Sequence, residues 1–422
     1  SLNWILSDNP YRKTMEGFKH MAKKQGYAIT TCCFRLRCKH PEWLEETQKF
    51  YNQIQKFYYD LYLEHPELWK ENSQNSLRGV EMLSIPGRSG NQVKCPLPWE
   101  HVLLYFRRAA ANAGIAAAKS YLARSENGYV GDPASLNSAA TYYKGMYRDL
   151  TSYEVTLRVW DGSTWKWMRC RLYGNTFPQE AQIMSPSVVF EKPYVMLHVP
   201  VKEVVTDASG VKDRIAEDRN VCGIQFANKD TFAAASVMNA QKEELAVHFF
   251  KGGKEYSHQC AKVVQQIDRS YDSHGEKAGG QVNRKYWMHL KHLNAHYAHK
   301  VSREMIDFCK ANEVGIIAFP KYVEDYANYV RKGAGNYSAL HLSTKIREYL
   351  TYKAWKEGIL VIDVNAKGMH EICAVCGKKI INTDKKAQEC VCEDGHRTNR
   401  YLNVARNTAK QCLKQFQKKS GK

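Results

Sequence analysis

The chain has 422 residues, 44% hydrophobic and 25% charged, a composition of two or three globular domains rather than of a disordered polymer. Its 62 Lys+Arg against 43 Asp+Glu leave a net charge of +19, which points to a polyanionic partner. No run of about 18 apolar residues and no signal-like N-terminus is visible, so no membrane partner and a cytoplasmic location are expected. Most of the 13 Cys have no regular spacing and suit a reducing compartment, where buried thiols act as small apolar residues.

Residues 28–39 alternate as a strand does. Trp43, Leu44, Phe50, Ile54, Phe57, Tyr58, Leu61 and Tyr62 then fall near helical spacing, with Pro66 just past the end. Residues 74–98, rich in Gly, Pro, Ser and Asn, read as a loop. An Ala-rich helix follows from about Trp99 to Arg124, and a third helix is expected over Ser135 to Leu150. Tyr153–Val159, Thr164–Leu172 and Tyr194–Val199 are strand candidates. From about Asn220 the pattern turns to α/β. Val221–Phe226 and Phe232–Val237 form a hairpin, Leu245–Phe250 a third strand, and residues 255–312 a helical stretch broken by Gly275, Gly279 and Gly280. Val314–Phe319 and Ile359–Val364 are apolar strands of the buried type, with a helix over Thr344–Glu357 between them.

The strongest chemical signal lies near the C-terminus. Cys373-Ala374-Val375-Cys376-Gly377 is half of a metal knuckle, since the Gly after the second Cys lets the backbone turn around an ion. The second half is irregular: Cys390-Val391-Cys392-Glu393-Asp394-Gly395-His396. A tetrahedral Zn2+ site takes four S or N ligands. Cys373, Cys376, Cys390 and Cys392 form one set; the alternative closes the site with His396 in place of one Cys. Four protein ligands leave no open position, so the knuckle reads as structural. A degenerate knuckle without metal is the competing reading.

Eleven residues past Cys392 comes Asn403-Val404-Ala405-Arg406-Asn407. A Cys knuckle running into an Asn-x-Ala-x-Asn helix resembles the C-terminal end of the TnpB family, transposon-encoded RNA-guided nucleases related to compact type V CRISPR effectors. The specific motifs of this resemblance lie in residues 220–407. It implies an α+β multidomain chain. A β-barrel wedge domain (1–40 and 151–218) would carry a helical recognition insert (41–150). An RNase H-like, RuvC-type α/β domain (219–368 and 397–422) would carry an inserted zinc knuckle (369–396).

The family holds catalytic metal with three carboxylates, because Mg2+ needs oxygen ligands and two-metal hydrolysis needs anionic ones. All three frames here lack the acid. Cys222-Gly223-Ile224-Gln225 has Gln225 where the family's strand has Asp. Gly315-Ile316-Ile317-Ala318-Phe319-Pro320 has Pro320 where Glu belongs. Tyr401 stands two residues before Asn403, in place of the third acid. Met369-His370 also replaces the family's Thr-Ser before the first Cys pair. The resemblance therefore implies a nuclease-dead member, similar to TnpB-like RNA-guided repressors, with structural Zn2+ and no Mg2+ at the nuclease site. Its expected partners are a guide RNA and double-stranded target DNA with a short flanking motif, with RNA polymerase or a sigma factor as a further candidate. Its expected role is transcription control, by occupying a target or by recruiting a transcription factor. Two alternatives stand beside it: an active guided endonuclease whose acids have moved to Glu324, Asp325 or Asp363, and an RNA-binding protein without DNA targeting.

Basic residues near aromatic ones are the candidate nucleic-acid contacts: Arg35, Arg37, Arg107 and Arg108 in the first half, and Arg284, Lys285, Lys291, Lys300 and Arg303 on a helix after the first α/β strands. On that helix Trp287, Leu290, Leu293, Tyr297 and Val301 are expected to form the apolar face.

Overall fold

The computed structural model describes residues 26–87, 93–126, 128, 131, 136–191, 193–227, 230–274, 283–322, 340–381 and 388–417. The chain divides into two compact units, Ile29–Glu203 and Ser1–Ala28 with Val204–Lys422.

The first unit is built on a curled antiparallel sheet. Its strands are β1 (Tyr27–Arg37), β2 (Ala140–Thr141), β3 (Tyr147–Arg148), β4 (Glu154–Trp160), β5 (Trp165–Tyr173), β6 (Gln182–Ile183), β7 (Ser187–Glu191) and β8 (Tyr194–Val204), in the order β2-β7-β8-β1-β5-β4-β3, with β6 on β8. The curl follows from connectivity. β2 and β3 end the path, yet only Tyr142–Met146 separates them in the chain. Six strand spacings of about 4.8 Å make a flat path of about 29 Å, more than the roughly 21 Å that such a link can span. The sheet therefore bends into a half-barrel, and Tyr142 and Met146 are buried where it does so.

Three helices share its core: α1 (Pro41–Leu63), α2 (Ser73–Ser84) and α3 (Leu104–Ser125). Phe50, Tyr51, Ile54 and Tyr58 of α1 and Phe106, Ala110 and Ile115 of α3 join Phe34, Leu157 and Leu197 of the sheet in one apolar cluster. The Ala-rich α3 approaches α1 so closely that a Cβ on Gly114 would lie 2.6 Å from the Gln55 carbonyl oxygen.

Two expectations are corrected here. Residues 74–98 are not all loop, because α2 occupies Ser73–Ser84. Its signal was present: Asn72 Oδ1 accepts from Asn75 N at 2.9 Å as an N-cap, and Val80 and Ser84 recur on the buried side. The helix over Ser135–Leu150 does not form in its described part. That stretch pairs as β2 with β7 and as β3 with β4, with a turn at Gly145 (φ +98°) between them. Strand pairing within the unit overrides local propensity there.

The second unit has a five-stranded sheet of β9 (Asn220–Phe226), β10 (Thr231–Met238), β11 (Glu244–Lys251), β12 (Val314–Lys321) and β13 (Leu360–Asn365), in the order β11-β10-β9-β12-β13. The β9-β10-β11 pairs are antiparallel, and β12 runs parallel to both β9 and β13. Its helices are α4 (Val211–Ala216), α5 (Gly253–His274), α6 (Arg284–Ala311), α7 (Ser343–Lys356) and α8 (Arg400–Gln417). Helices α5–α7 cover one face, where Cys222, Ile224, Ile317 and Phe319 meet Met305, Ile306 and Leu350. Helix α8 covers the other, where Val221, Ile316, Ala318 and Val364 meet Val404, Ala409 and Leu413. A short hairpin, β14 (Glu389–Val391) with β15 (Arg397–Asn399), precedes α8.

Candidate functional site

The two faces of the second sheet decide what stands where. On β9, Cys222 and Ile224 point toward α5–α7, so Val221, Gly223 and Gln225 point toward α8. Gly223 is the crossing point, since a Cβ there would lie 2.0 Å from the Ala405 carbonyl oxygen. The register Ala318↔Gly223, continued by two residues, sets Pro320 level with Gln225 on the same face. Gln417 Nε2 donates to Ala240 O at 2.9 Å, at the far end of the sheet, so α8 runs opposite to β9. Tyr401, one turn before Ala405, therefore lies toward the Gln225 end. The three residues at the acid frames share one face and one end of the sheet.

What occupies that end is a neutral hydrogen-bond chain. Gln225 is 8% exposed. Its Oε1 accepts from the Tyr322 hydroxyl at 2.9 Å, and its Nε2 donates to the Phe226 carbonyl at 2.9 Å. The Tyr322 oxygen lies 2.7 Å from His370 Nε2. Tyr322 has one proton and gives it to Gln225, so His370 supplies the second hydrogen as its Nε2–H tautomer. Burial, reinforced by the nearby Arg400 charge, holds the His370 imidazole below its usual pKa and keeps it neutral. Neither Tyr322 nor His370 was a sequence candidate; the replacement of Thr-Ser by Met369-His370 was the available signal.

Asp363 is not available to that face. Ile362 and Val364 point toward α8, so Asp363 points toward α7, where Arg347 Nη2 donates to its Oδ1 at 2.7 Å. Glu324 and Asp325 lie outside the described residues.

The metal knuckle is the second constellation. Cys373, Cys376, Cys392 and His396 bring their ligand atoms within 4.8 Å of one another. Cys376 Sγ lies 3.6 Å from Cys392 Sγ, which lies 3.4 Å from His396 Nδ1. A tetrahedron with Zn–S bonds of about 2.3 Å has edges of about 3.8 Å, so this donor set fits Zn2+ in size and chemistry. The alternative with His396 is thus the one the structure assembles, and Cys390 is corrected to a packing residue. A tight turn, Gly395 N donating to Cys392 O at 2.9 Å, swings His396 back to fill the fourth place. Cys390 is 1% exposed beside Ile380, and burial raises its thiol pKa.

Helix α8 anchors the knuckle through its two motif asparagines. Asn403 Nδ2 donates to Ile372 O at 2.8 Å, and Asn403 Oδ1 accepts from Ala374 N at 2.8 Å. Asn407 Nδ2 donates to Met369 O at 3.0 Å and to Ile372 O at 2.8 Å. Ala405 between them is the close approach to Gly223. The Asn-x-Ala-x-Asn spacing is therefore a clamp that fixes knuckle to sheet.

The basic candidates separate into three groups. On the first unit, Arg35 and Arg37 point outward from β1, while Cys32, Phe34 and Leu36 point into the core. Arg35 lies over the Tyr194 ring at 3.8 Å and Arg37 over Tyr173 at 5.5 Å. Arg148 and Arg158 approach Trp167 at 4.5 and 5.5 Å. Arg37 stands directly opposite Arg171. Trp167, Tyr173 and Tyr194 are 39–44% exposed on this outer face. The β5 members Trp167, Arg169, Arg171 and Tyr173 were missed, although their period-two spacing marks one face of a strand. Arg107 and Arg108, by contrast, both bind Glu81 Oε1 at 2.9 Å, and Arg107 is only 12% exposed, so this pair ties α3 to α2. On α6, Arg284, Lys285, Lys291 and Lys300 are exposed, while Arg303 pairs with Asp307 at 3.2 Å. Trp287 is corrected from apolar face to surface, being 43% exposed, whereas Leu290, Tyr297 and Val301 of the expected apolar face are buried.

Comparison with known proteins bears on the whole arrangement. Residues 28–161 match the Aq_aa04 family, and residues 344–408 match the Cas12f1-like, TNB domain family. The structure of a Cas12f1–sgRNA–target DNA complex is similar with a TM-score of 0.57 at 13% identity, over 87% of this chain and 81% of that one. The chain has the fold of the compact type V CRISPR effectors. The mini-RNA-guided endonuclease CRISPR-Cas_phi3 is similar with a TM-score of 0.56 at 9% identity, over 93% and 92% of the two chains. Comparison with curated protein sequences gives no match. Within this type V-like fold, the TNB match spans α7, β13, the knuckle and the first half of α8, the segment that holds the four metal-fitting donors and the Asn clamp.

Proposed function

We propose that the chain is an RNA-guided, sequence-specific DNA-binding protein whose RuvC-like nuclease site is inactive, and that it acts in transcription control by occupying its target. The observation that carries this reading is the Gln225–Tyr322–His370 chain at the end of β9, where the family's acids would stand. A neutral, mutually satisfied amide, phenol and imidazole give two divalent cations no anionic ligand. The sheet order β11-β10-β9-β12-β13, with β12 and β13 parallel to β9, supports the RNase H-like reading of this unit. Asp363, turned to the other face and held by Arg347, does not support a relocated acid.

The outer face of the first sheet supports the nucleic-acid part. Arg37 directly opposite Arg171 costs stability unless an anion lies across them, and guanidinium groups over exposed aromatic rings suit phosphate and stacked bases together. Guide pairing would supply sequence reading, and the protein would read a short flanking motif and backbone shape. Zn2+, held by Cys373, Cys376, Cys392 and His396, would brace the knuckle against α8. Occupancy alone blocks transcription; recruitment of a transcription factor is the variant that a reporter with the target upstream of a promoter separates from it.

The test is the guide-loaded complex with matched duplex and Mg2+ or Mn2+. Tight, guide-dependent binding with intact DNA is expected. Cleavage that disappears in Glu324→Ala or Asp325→Ala would overturn the inactive-site reading and establish relocated acids.

A further inference from the structure

We propose that Cys38 and Cys170 form an oxidation site, closing to an intramolecular disulfide under hydroperoxide. The observation is a matter of register in the first unit. β1 and β5 pair antiparallel with Leu36↔Leu172 and Arg37↔Arg171, so Cys38 falls opposite Cys170 one step further on. Parity agrees: Leu36 and Leu172 point inward, Arg37 and Arg171 outward, and the two Cys inward again. Residues directly opposite in an antiparallel pair have Cα atoms about 4.5–5.5 Å apart, inside the window of about 4.4–6.8 Å that a disulfide spans. A bridge at that spacing would need little movement of the backbone. Access is asymmetric in the way a two-thiol sensor requires. Cys38, just past the end of β1, is half-buried, whereas Cys170 is 0% exposed beneath it.

The local electrostatics favour Cys38 as the attacking group. The hydrogen bond from Cys170, together with one from the His40 backbone, lowers the Cys38 thiol pKa, although burial and the Glu42 charge act against it. The same interaction with Cys38, then burial, raises Cys170. Cys38 thiolate attacks one peroxide oxygen, the O–O bond breaks, and a sulfenic acid forms on Cys38 with water released after proton transfer. The Cys170 sulfur then attacks the Cys38 sulfur, the S–O bond breaks, and the second water leaves with the Cys170 proton. Two thiols lose two electrons, and one peroxide becomes two waters.

The bridge has a consequence on the opposite side of the strands. Arg37 and Arg171 repel across the outer face, which works to fray the end of β1. A covalent link one residue away, on the inner side, holds them together. It also closes the chain around α1, α2 and α3, from Cys38 to Cys170. The second unit supplies an internal control. Cys222 and Cys309 also touch, in the core between β9 and α6, but both are 0% exposed and offer an oxidant no path.

The experiment is peptide mapping of the full-length protein, metal-loaded, after brief hydrogen peroxide treatment and alkylation. A cross-linked peptide joining Cys38 to Cys170, about 2 Da lighter than the two free-thiol peptides combined, is expected, with Cys222 and Cys309 recovered as thiols only after unfolding. Amide exchange at residues 37–39 should slow on oxidation and recover with a dithiol reductant. Cys38→Ser should leave Cys170 reduced, and Cys170→Ser should leave Cys38 as a stable sulfenic acid trapped by dimedone. Cys38 alkylated as a free thiol after peroxide, or bridged to another Cys such as Cys33, would overturn the proposal.

Discussion

Tyr322 and Gln225 are joined by a 2.9 Å hydrogen bond that closes the space at the end of β9 and β12. The bond is internal to the fold, and so is the pairing of Tyr322 with His370 beyond it. Tyr322→Phe therefore removes the donor to a side chain that is 8% exposed. A buried acceptor left without its partner costs about 1–3 kcal/mol. The variant should unfold several degrees below the parent in a thermal melt while its guide-dependent binding persists. An unchanged melting temperature would show that water replaces the bond and that the chain has no structural role.

Gly223 predicts a sharper effect. Its Cβ would lie 2.0 Å from Ala405 O and 2.7 Å from Ala409 N, and both are helix backbone atoms that cannot rotate away. Gly223→Ala should push α8 off the sheet and cost about 1–3 kcal/mol or more by overpacking. Because α8 also carries Asn403 and Asn407, zinc content should fall with stability. A stable, fully zinc-loaded Gly223→Ala protein would contradict the packing described.

Much of this was legible in the sequence. The apolar runs at Val314–Phe319 and Ile359–Val364 became adjacent parallel strands, but only the first is buried throughout, because β12 lies between β9 and β13 while β13 is the edge strand and leaves Asp363 and Asn365 exposed. The Cys373-x-x-Cys376-Gly377 half of the knuckle was plain from its local spacing. The other ligand set was not, because one-residue spacing at Cys390 and Cys392 does not say which thiol a later turn will complete. Nor was Arg214, which is 0% exposed and donates to Gly315 O at 2.8 Å. A basic residue buried by carbonyls from distant segments leaves no periodicity to read. The helix expected over Ser135–Leu150 failed likewise, since its partners are β4 and β7, contributed by later stretches of chain.

Zinc should bind at about one ion per chain, and the ligand set can be separated by substitution. Cys376→Ser and His396→Ala should lower bound zinc and the melting temperature together. Cys390→Ser should keep its zinc, since Cys390 stands outside the four-donor group. Elemental analysis of protein purified without chelator checks this. Loss of zinc in Cys390→Ser with retention in His396→Ala would restore the all-Cys set.

The two arginine groups should respond in opposite ways. Arg37→Ala with Arg171→Ala removes a directly opposed like-charge pair, so folding should hold or improve. RNA affinity should fall, with the salt slope reduced by about 1 for each phosphate that is no longer neutralised. Arg107→Ala should instead destabilise the helices by about 1–3 kcal/mol, because Glu81 is 15% exposed and loses one of its two partners. Burial raises the Glu81 pKa, but the Arg108 and Arg107 hydrogen bonds outweigh it and leave it lowered. A carboxyl whose folded pKa is depressed contributes its stability above the unfolded value of about 4.3 and loses it as pH falls through the folded one. Acid melts should thus separate parent from Arg107→Ala least at the lowest pH. Equal losses of RNA affinity in both variants, without loss of stability in either, would undo the distinction.

Binding to DNA should depend on a guide and on where mismatches fall. The net charge of +19 gives strong phosphate attraction to any nucleic acid at low salt. At about 150 mM salt, charges more than about 8 Å apart are screened, and specificity must come from pairing. Pairing starts beside the flanking motif, so mismatches there should abolish binding, and distal ones should be tolerated. With the proposed inactive site no cleavage step follows to filter distal mismatches, so that tolerance should pass directly into regulation. Affinities for matched, proximal-mismatched and distal-mismatched duplexes, beside a reporter carrying the same three targets, test both halves. Equal affinity for all three, or tight sequence-specific binding without RNA, would leave a general nucleic-acid binder in place of a guided one.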